Sequence, residues 1–327
     1  MTRRAIASTV AAVAVVAVGL TAFVALRGSG GGPGQISKTV QRGLVLLVVK
    51  GARGPLVAVV GSIGNGSPGA VEIPSDLPIT IPGQGDGTVG EAVSQPGTTG
   101  RVAVANLLGL WIDHRAATTL DRFVAVVRRA GGITLAGRTE DAGEVRHALN
   151  GPDPAARELA WRTLLEGLLQ EGAPWRASDL VDSDDPTSAA AILGRPMDLR
   201  VHPLPITESA GGTLEPDLEA TASLVHQAFE APMRRVVPVI VLNGSGAPGI
   251  GQEVARRIIP GGFRVAVSGN ASSFGHATTV IVVAFHRERP LAERVRDLLG
   301  VGEVVVSGPP SGLGDVTIVV GKDLGTG

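Results

Sequence analysis

The residues with the plainest chemical potential lie in VEIPSDLPITIPGQG, positions 71–85. Pro74 and Asp76 fall where an apolar strand ends, and Pro82, Gly83 and Gly85 form the turn that follows. A carboxylate placed there serves either the rim of an active site or a local turn or cap. A second stretch, Gly244-Ser-Gly246-Ala-Pro-Gly249, has the G-x-G-x-x-G spacing that seats a pyrophosphate on a helix N-terminus. Dinucleotide binding also needs a carboxylate ending the next strand, and that strand ends VSGN, 267–270, without one. The glycines then serve a sharp turn and a close approach of helix to sheet. The six histidines show no H-x-x-x-H or H-E-x-x-H spacing, and cysteine is absent. Zinc sites, disulfides, thiol catalysis and a lipoprotein cysteine are thereby disfavoured or excluded. No G-x-S-x-G elbow or Walker A loop occurs. The acidic cluster Asp182, Asp184, Asp185 lacks the glycine and distal glutamate of a calcium loop and reads as a solvated loop.

A sheet must stand behind Asp76. LVLLVVK (44–50) and PLVAVVGSI (55–63) are continuous apolar runs that predict a hairpin of buried strands, with AVEIP as a third strand. A helical stretch with Val102, Ala105, Leu107 and Leu108 on one face follows, then a short strand in WIDHRAAT. Thr119 caps a helix that ends at Gly131-Gly132, with Arg128 and Arg129 in its last turn. Residues 133–135 return as a strand. Asp153 and Pro154 open a helix to residue 171 whose Leu159, Leu164, Leu165 and Leu168 are expected to face a core. Residues 172–212 read as irregular surface segments, and 216–232 as a helix stopped by Pro232. From Val236 a second unit of about 90 residues alternates strands and helices.

The chain of 327 residues has room for an anchor and about two domains. With 29 basic and 30 acidic residues, 3% aromatics and no tyrosine, it lacks the footprint of a nucleic-acid binder. Residues 5–26 carry no charge, and at ~1.5 Å per residue a helix of that length spans a hydrocarbon core of about 30 Å. Arg3 and Arg4 precede it and only Arg27 follows at once, which gives the expectation of an uncleaved signal-anchor with the N-terminus in the cytoplasm and the bulk of the chain outside the membrane, the alternative being a cleaved signal peptide. The expected organisation is a tail (1–4), a signal-anchor (5–26), a glycine-rich linker (27–41), an α/β layered domain (42–232) and a small α/β domain (236–327).

The last unit, with VIVLNGSGAPGIGQEVARRI, GGFRVAVSGNA, TTVIVV and DVTIVVGKD, resembles the LytR C-terminal domain. That domain follows the catalytic domain of many LytR-CpsA-Psr cell-wall proteins of actinobacteria. The middle of the chain is similar to the LytR-CpsA-Psr domain itself in three blocks: IPSDLPITIPGQGDGTVGEA, VANLLGLWID and LDRFVAVVRRAGGITL. The resemblance implies a domain that transfers a polyprenyl-pyrophosphate-linked glycopolymer to peptidoglycan, with Mg2+ on aspartates and arginines on the phosphates. Asp76 matches the aspartate of the family's Pro-Arg-Asp triplet, but Ser75 stands in place of its arginine. The preceding strand lacks the family's aspartate-threonine pair. Of the phosphate-gripping arginines, Arg157 matches the first and Ala160 occupies the second position, with Arg162 close by.

These departures give the expectation of a membrane-anchored, non-catalytic envelope protein that binds or scaffolds wall polymer or partner proteins, with no cofactor and no metal. Asp76, Arg157 and Arg162 are then vestiges of a site. The alternative is an active transferase that uses those three residues with Mg2+. A transcriptional regulator is disfavoured by the balanced charge and the lack of a helix-turn-helix pattern.

Overall fold

The computed structural model describes residues 42–135, 138–208, 212, 214–232, 235–307 and 312–326. The expected anchor, 5–26, and the linker, 27–41, lie outside the described residues. Among the described residues no helix is long and apolar enough to cross a membrane. Residues 41–327 form one compact unit.

This unit begins with β1 (Gly43–Gly51), β2 (Gly54–Ser62), β3 (Gly69–Ile73) and a hairpin of β4 (Pro78–Ile81) and β5 (Gly85–Thr88). Next come α1 (Val89–Ser94), α2 (Thr99–Leu108), β6 (His114–Thr119) and α3 (Leu120–Ala130). A hairpin of β7 (Ile133–Leu135) and β8 (Arg138–Glu140) leads to α4 (Ala142–Leu149) and α5 (Pro154–Glu171). There follow β9 (Asp182–Ser183), α6 (Pro186–Leu193), β10 (Val201–Pro203), the hairpin β11 (Ile206–Glu208) and β12 (Leu214–Pro216), and α7 (Leu218–Phe229). The chain closes with β13 (Val237–Asn243), α8 (Ile250–Ile258), β14 (Phe263–Asn270), β15 (Val280–Val283), α9 (Arg289–Leu299), β16 (Glu303–Val306) and β17 (Val316–Val320).

The main sheet has six strands in the order β10-β3-β2-β1-β6-β9. β1 pairs antiparallel with β2 and parallel with β6, so the sheet is mixed. Its central strands are continuously apolar because both faces are covered. Leu44, Leu46 and Val48 of β1 enter one core, while Val45, Leu47 and Val49 enter the other. The second core holds Phe123 of α3, Trp161 and Leu165 of α5, and Ile192 of α6. A smaller sheet takes the order β14-β13-β17-β15-β16.

The expected caps are present. Thr119 Oγ1 accepts the Arg122 amide at 3.3 Å, and Asp153 accepts the Ala155 amide at 3.0 Å with Pro154 in the first turn. Two readings of this region are corrected. Leu159 is 57% exposed, whereas Trp161 is 1% exposed and takes the core position. At 3.6 residues per turn, position 159 lies about 160° around the helix from position 161. Residues 172–212 are not merely irregular: they contain α6, capped by Asp185, and bury Leu193, Met197 and Val201. The short helix opens on Asp-Pro, which serves a helix start as well as a turn.

The two sheets share a core. Buried residues of α2, such as Val104 and Leu107, belong to the same apolar cluster as Val254 of α8 and Val265 of β14. At the centre of this contact Asn106, 4% exposed, donates to the Val265 carbonyl at 2.9 Å and accepts its amide at 2.8 Å. β14 is the edge of its sheet, and Asn106 supplies the pairing a further strand would have given. The β4–β5 turn docks beside it, with the Gly83 amide donating to Ser268 Oγ at 2.6 Å. Gly83 has φ +84°, and a Cβ on Gly251 of α8 would lie 2.7 Å from its Cα. Two glycines therefore allow this backbone approach.

Candidate functional site

Asp76 lies exposed in the turn between β3 and β4. Its loop is fixed on both sides: the Leu77 amide donates to the Pro74 carbonyl at 3.4 Å, and the Gly90 amide to the Ser75 carbonyl at 2.6 Å. The loop leaves the carboxyl end of β3, next to the β1–β2 turn, since Val57 pairs with Ile73 and Lys50 with Pro55. Lys50 and Arg53 are carried on that turn, with Arg53 Nε donating to the Asn150 carbonyl at 3.0 Å.

The first three turns of α5 bring the expected arginines to this end of the sheet. Arg162 lies 3.7 Å from the carboxylate of Glu72, which is 3% exposed in β3. Burial, and then the charge of Glu158, push the Glu72 carboxyl from 4.5 up to about 7, against the pull of Arg162. Glu158 is raised by its own burial and by Asp76, and drawn back by Arg157 and Arg162. Arg157 Nε is buried and makes no hydrogen bond. Asp76, Arg157 and Arg162 thus converge on Glu158, a residue that sequence reasoning passed over. Its signal was its place four residues before Arg162 on one helix face. Glu72 also carried a signal, as a carboxylate inside an apolar strand.

Three carboxylates therefore surround two guanidinium groups. The charge of this set runs from one positive to one negative according to how far Glu72 and Glu158 are ionised, so the carboxylates offset part or all of the field that two arginines would offer a pyrophosphate. The layer beneath α5 is also closed. Trp161 and Leu165 are each 1% exposed, and Phe123 meets Trp161 edge to face at a centroid distance of 5.5 Å. Among the described residues no group of three or more His, Asp or Glu is arranged to hold a metal ion. Glu72 is buried, faces Arg162 and is only about half ionised at neutral pH, so these donors do not fit the Mg2+ that the family resemblance implies.

The other motifs resolve into structure. Asn243 Oδ1 accepts the amides of Ser245 and Gly246 at 3.1 and 2.9 Å, so the glycine-rich loop spends these donors internally. The acidic cluster is corrected from a solvated loop to a set of anchors. Asp182 pairs with Arg115, which is 2% exposed, Asp184 bonds Arg101 at 2.6 Å, and Asp185 caps α6.

Residues 236–324 match the family described as LytR cell envelope-related transcriptional attenuator. They form a LytR C-terminal domain. Solved structures similar to the chain include TagV of B. subtilis, with TM-score 0.45 and 16% identity over 59% of this chain and 98% of that one. TagU of B. subtilis aligns with TM-score 0.42 and 15% identity over 57% of this chain and 95% of that one. The LytR-CPS2A-psr family protein YwtF (TagT) with bound octaprenyl pyrophosphate lipid aligns with TM-score 0.45 and 16% identity, covering 63% and 95%. No curated protein sequence matches the chain. The LytR C-terminal domain holds the hairpin that follows Asp76, through Ser268, and the end of α2, through Val265.

Proposed function

We propose that this chain is an extracytoplasmic cell-envelope protein of LytR-CpsA-Psr type, anchored through residues 5–26. In this reading its larger domain binds or scaffolds wall polymer or envelope proteins and does not transfer glycopolymer. The observation that carries it is the site around Glu158, where Glu72, Asp76 and Glu158 offset part or all of the charge of Arg157 and Arg162 over a filled core. The LytR C-terminal domain supports the envelope context. The test uses residues 41–327, incubated with Mg2+ and a polyprenyl pyrophosphate and, separately, with purified peptidoglycan. The expected result is co-sedimentation with peptidoglycan and no phosphate release above an Asp76→Ala control. Turnover that disappears in Asp76→Ala refutes the reading.

One observation favours the second reading, a transferase with a rearranged site: Arg157 Nε is buried without a partner beside Asp76 and Glu158. That reading requires Arg157→Ala and Arg162→Ala each to abolish a turnover that the unaltered chain displays.

A further inference from the structure

A separate cavity lies at the opposite end of the main sheet, where β1 begins. Nine residues of β1, about 27 Å of strand, separate that end from the turn beside Asp76. The cavity measures about 770 Å³ and is open to solvent on one side. That volume falls within the range of small-molecule sites, which favour domain junctions. Leu108 and Trp111 follow from α2, Val225 comes from α7, and Ile259 and Pro260 come from the LytR C-terminal domain.

We propose that this cavity binds a single-chain anionic amphiphile, with the chain against the apolar walls and the headgroup at Arg42 and Arg235. Charge selects the headgroup. Arg42 and Arg235 both line the cavity, and Arg42 has no carboxylate partner among the described residues. Arg235 stands 3.5 Å from Asp315, with its side chain 85% exposed. The acidic residue in the lining, Asp113, already accepts the Leu44 amide at 2.9 Å. The exposed His226 is held through Nδ1 to the Ala231 carbonyl at 2.7 Å. The walls select the rest of the ligand. A peptide would bring backbone donors and acceptors that need partners along the whole cavity, and the apolar walls offer few. A hydrocarbon chain needs none. The proposal uses neither the Asp76 site nor the envelope reading.

The test follows from the probe already in the wall. Of the three tryptophans, Trp161 and Trp175 are buried in the second core, and Trp111 lines the cavity. Residues 41–327 form one compact unit and are titrated below the micellar range with oleate, oleyl alcohol and oleylamine, which share a chain and differ in head charge. Oleate is expected to change tryptophan emission saturably at one equivalent, and to bind at least tenfold more tightly than oleylamine. Arg42→Glu with Arg235→Glu should reverse that order. Ala222→Phe, which fills the cavity from α7, should abolish the response to oleate. An equal response to the three headgroups overturns the proposal, as does a signal that survives Trp111→Phe. Absence of any saturable oleate binding overturns it as well. Should Ala222→Phe fail to fold, the charge reversal still decides.

Discussion

Replacing Glu72 with glutamine should make the protein more stable, and increasingly so as pH rises. Glu72 is 3% exposed, and its carboxyl is pushed from 4.5 up to about 7, chiefly by burial. Between pH 4.5 and about 7 the unfolded chain releases this proton while the folded chain keeps it. Folding stability therefore falls with rising pH across that window, at about 1.4 kcal/mol per pH unit. The whole window amounts to about 3 kcal/mol that Glu72 costs above pH 7 relative to pH 4.5, and glutamine carries no such proton. Urea denaturation of the unaltered protein and Glu72→Gln, from pH 4.5 to 8.5, reads the difference. It should grow in favour of glutamine up to pH 7 and then level off. The competing account is that Arg162 stabilises an ionised Glu72. At 3.7 Å the pair lies beyond ordinary hydrogen-bond distance, so its attraction loses to desolvation. If the ion pair won, the folded carboxyl would titrate below 4.5 and glutamine would lose ground as pH rises. A flat or inverted difference refutes the reasoning.

Asn106→Leu leaves the buried amide and carbonyl of Val265 without partners. It should destabilise by about 2–5 kcal/mol in urea and accelerate hydrogen exchange at Val265. On α5, Trp161→Ala should cost about 3–5 kcal/mol by opening a cavity against Phe123, while Leu159→Ala at an exposed position should stay within about 0.5 kcal/mol. The two substitutions, compared by urea midpoint, separate the face the helix buries from the face it shows. Thr119→Ala removes the cap of α3 and should lower stability by about 1 kcal/mol, read from the same transition.

Local chemistry made much of the scaffold legible in the sequence. LVLLVVK reads as a strand covered on both faces, because its run is short, rich in valine and apolar without alternation, and both cores receive its side chains. Thr119, Asp153 and Pro154 announced their helices because a cap acts on donors two or three residues away. The LytR C-terminal domain was readable for the same reason, its strands and helices being marked by glycine turns and short periodic runs. α6 escaped because one Asp-Pro pair serves a turn and a helix start alike. Leu159 differs from expectation because the angle around the helix, and not the apolar character of the residue, decides which face is buried.

The sequence by itself determined which residues could carry charge near Asp76 and how its strand is built. Only the tertiary structure decided what those charges do. Glu158 and Asp76 are remote along the chain, and α5 must pack beside the end of β3 before Asp76 raises the cost of ionising Glu158. The second half of VEIPSDLPITIPGQG changed its meaning in the same way. Its turn meets the LytR C-terminal domain through Gly83 and Ser268, 185 residues apart. A contact between distant backbones leaves no periodicity or cap in the sequence. It is visible only once the two sheets share a core.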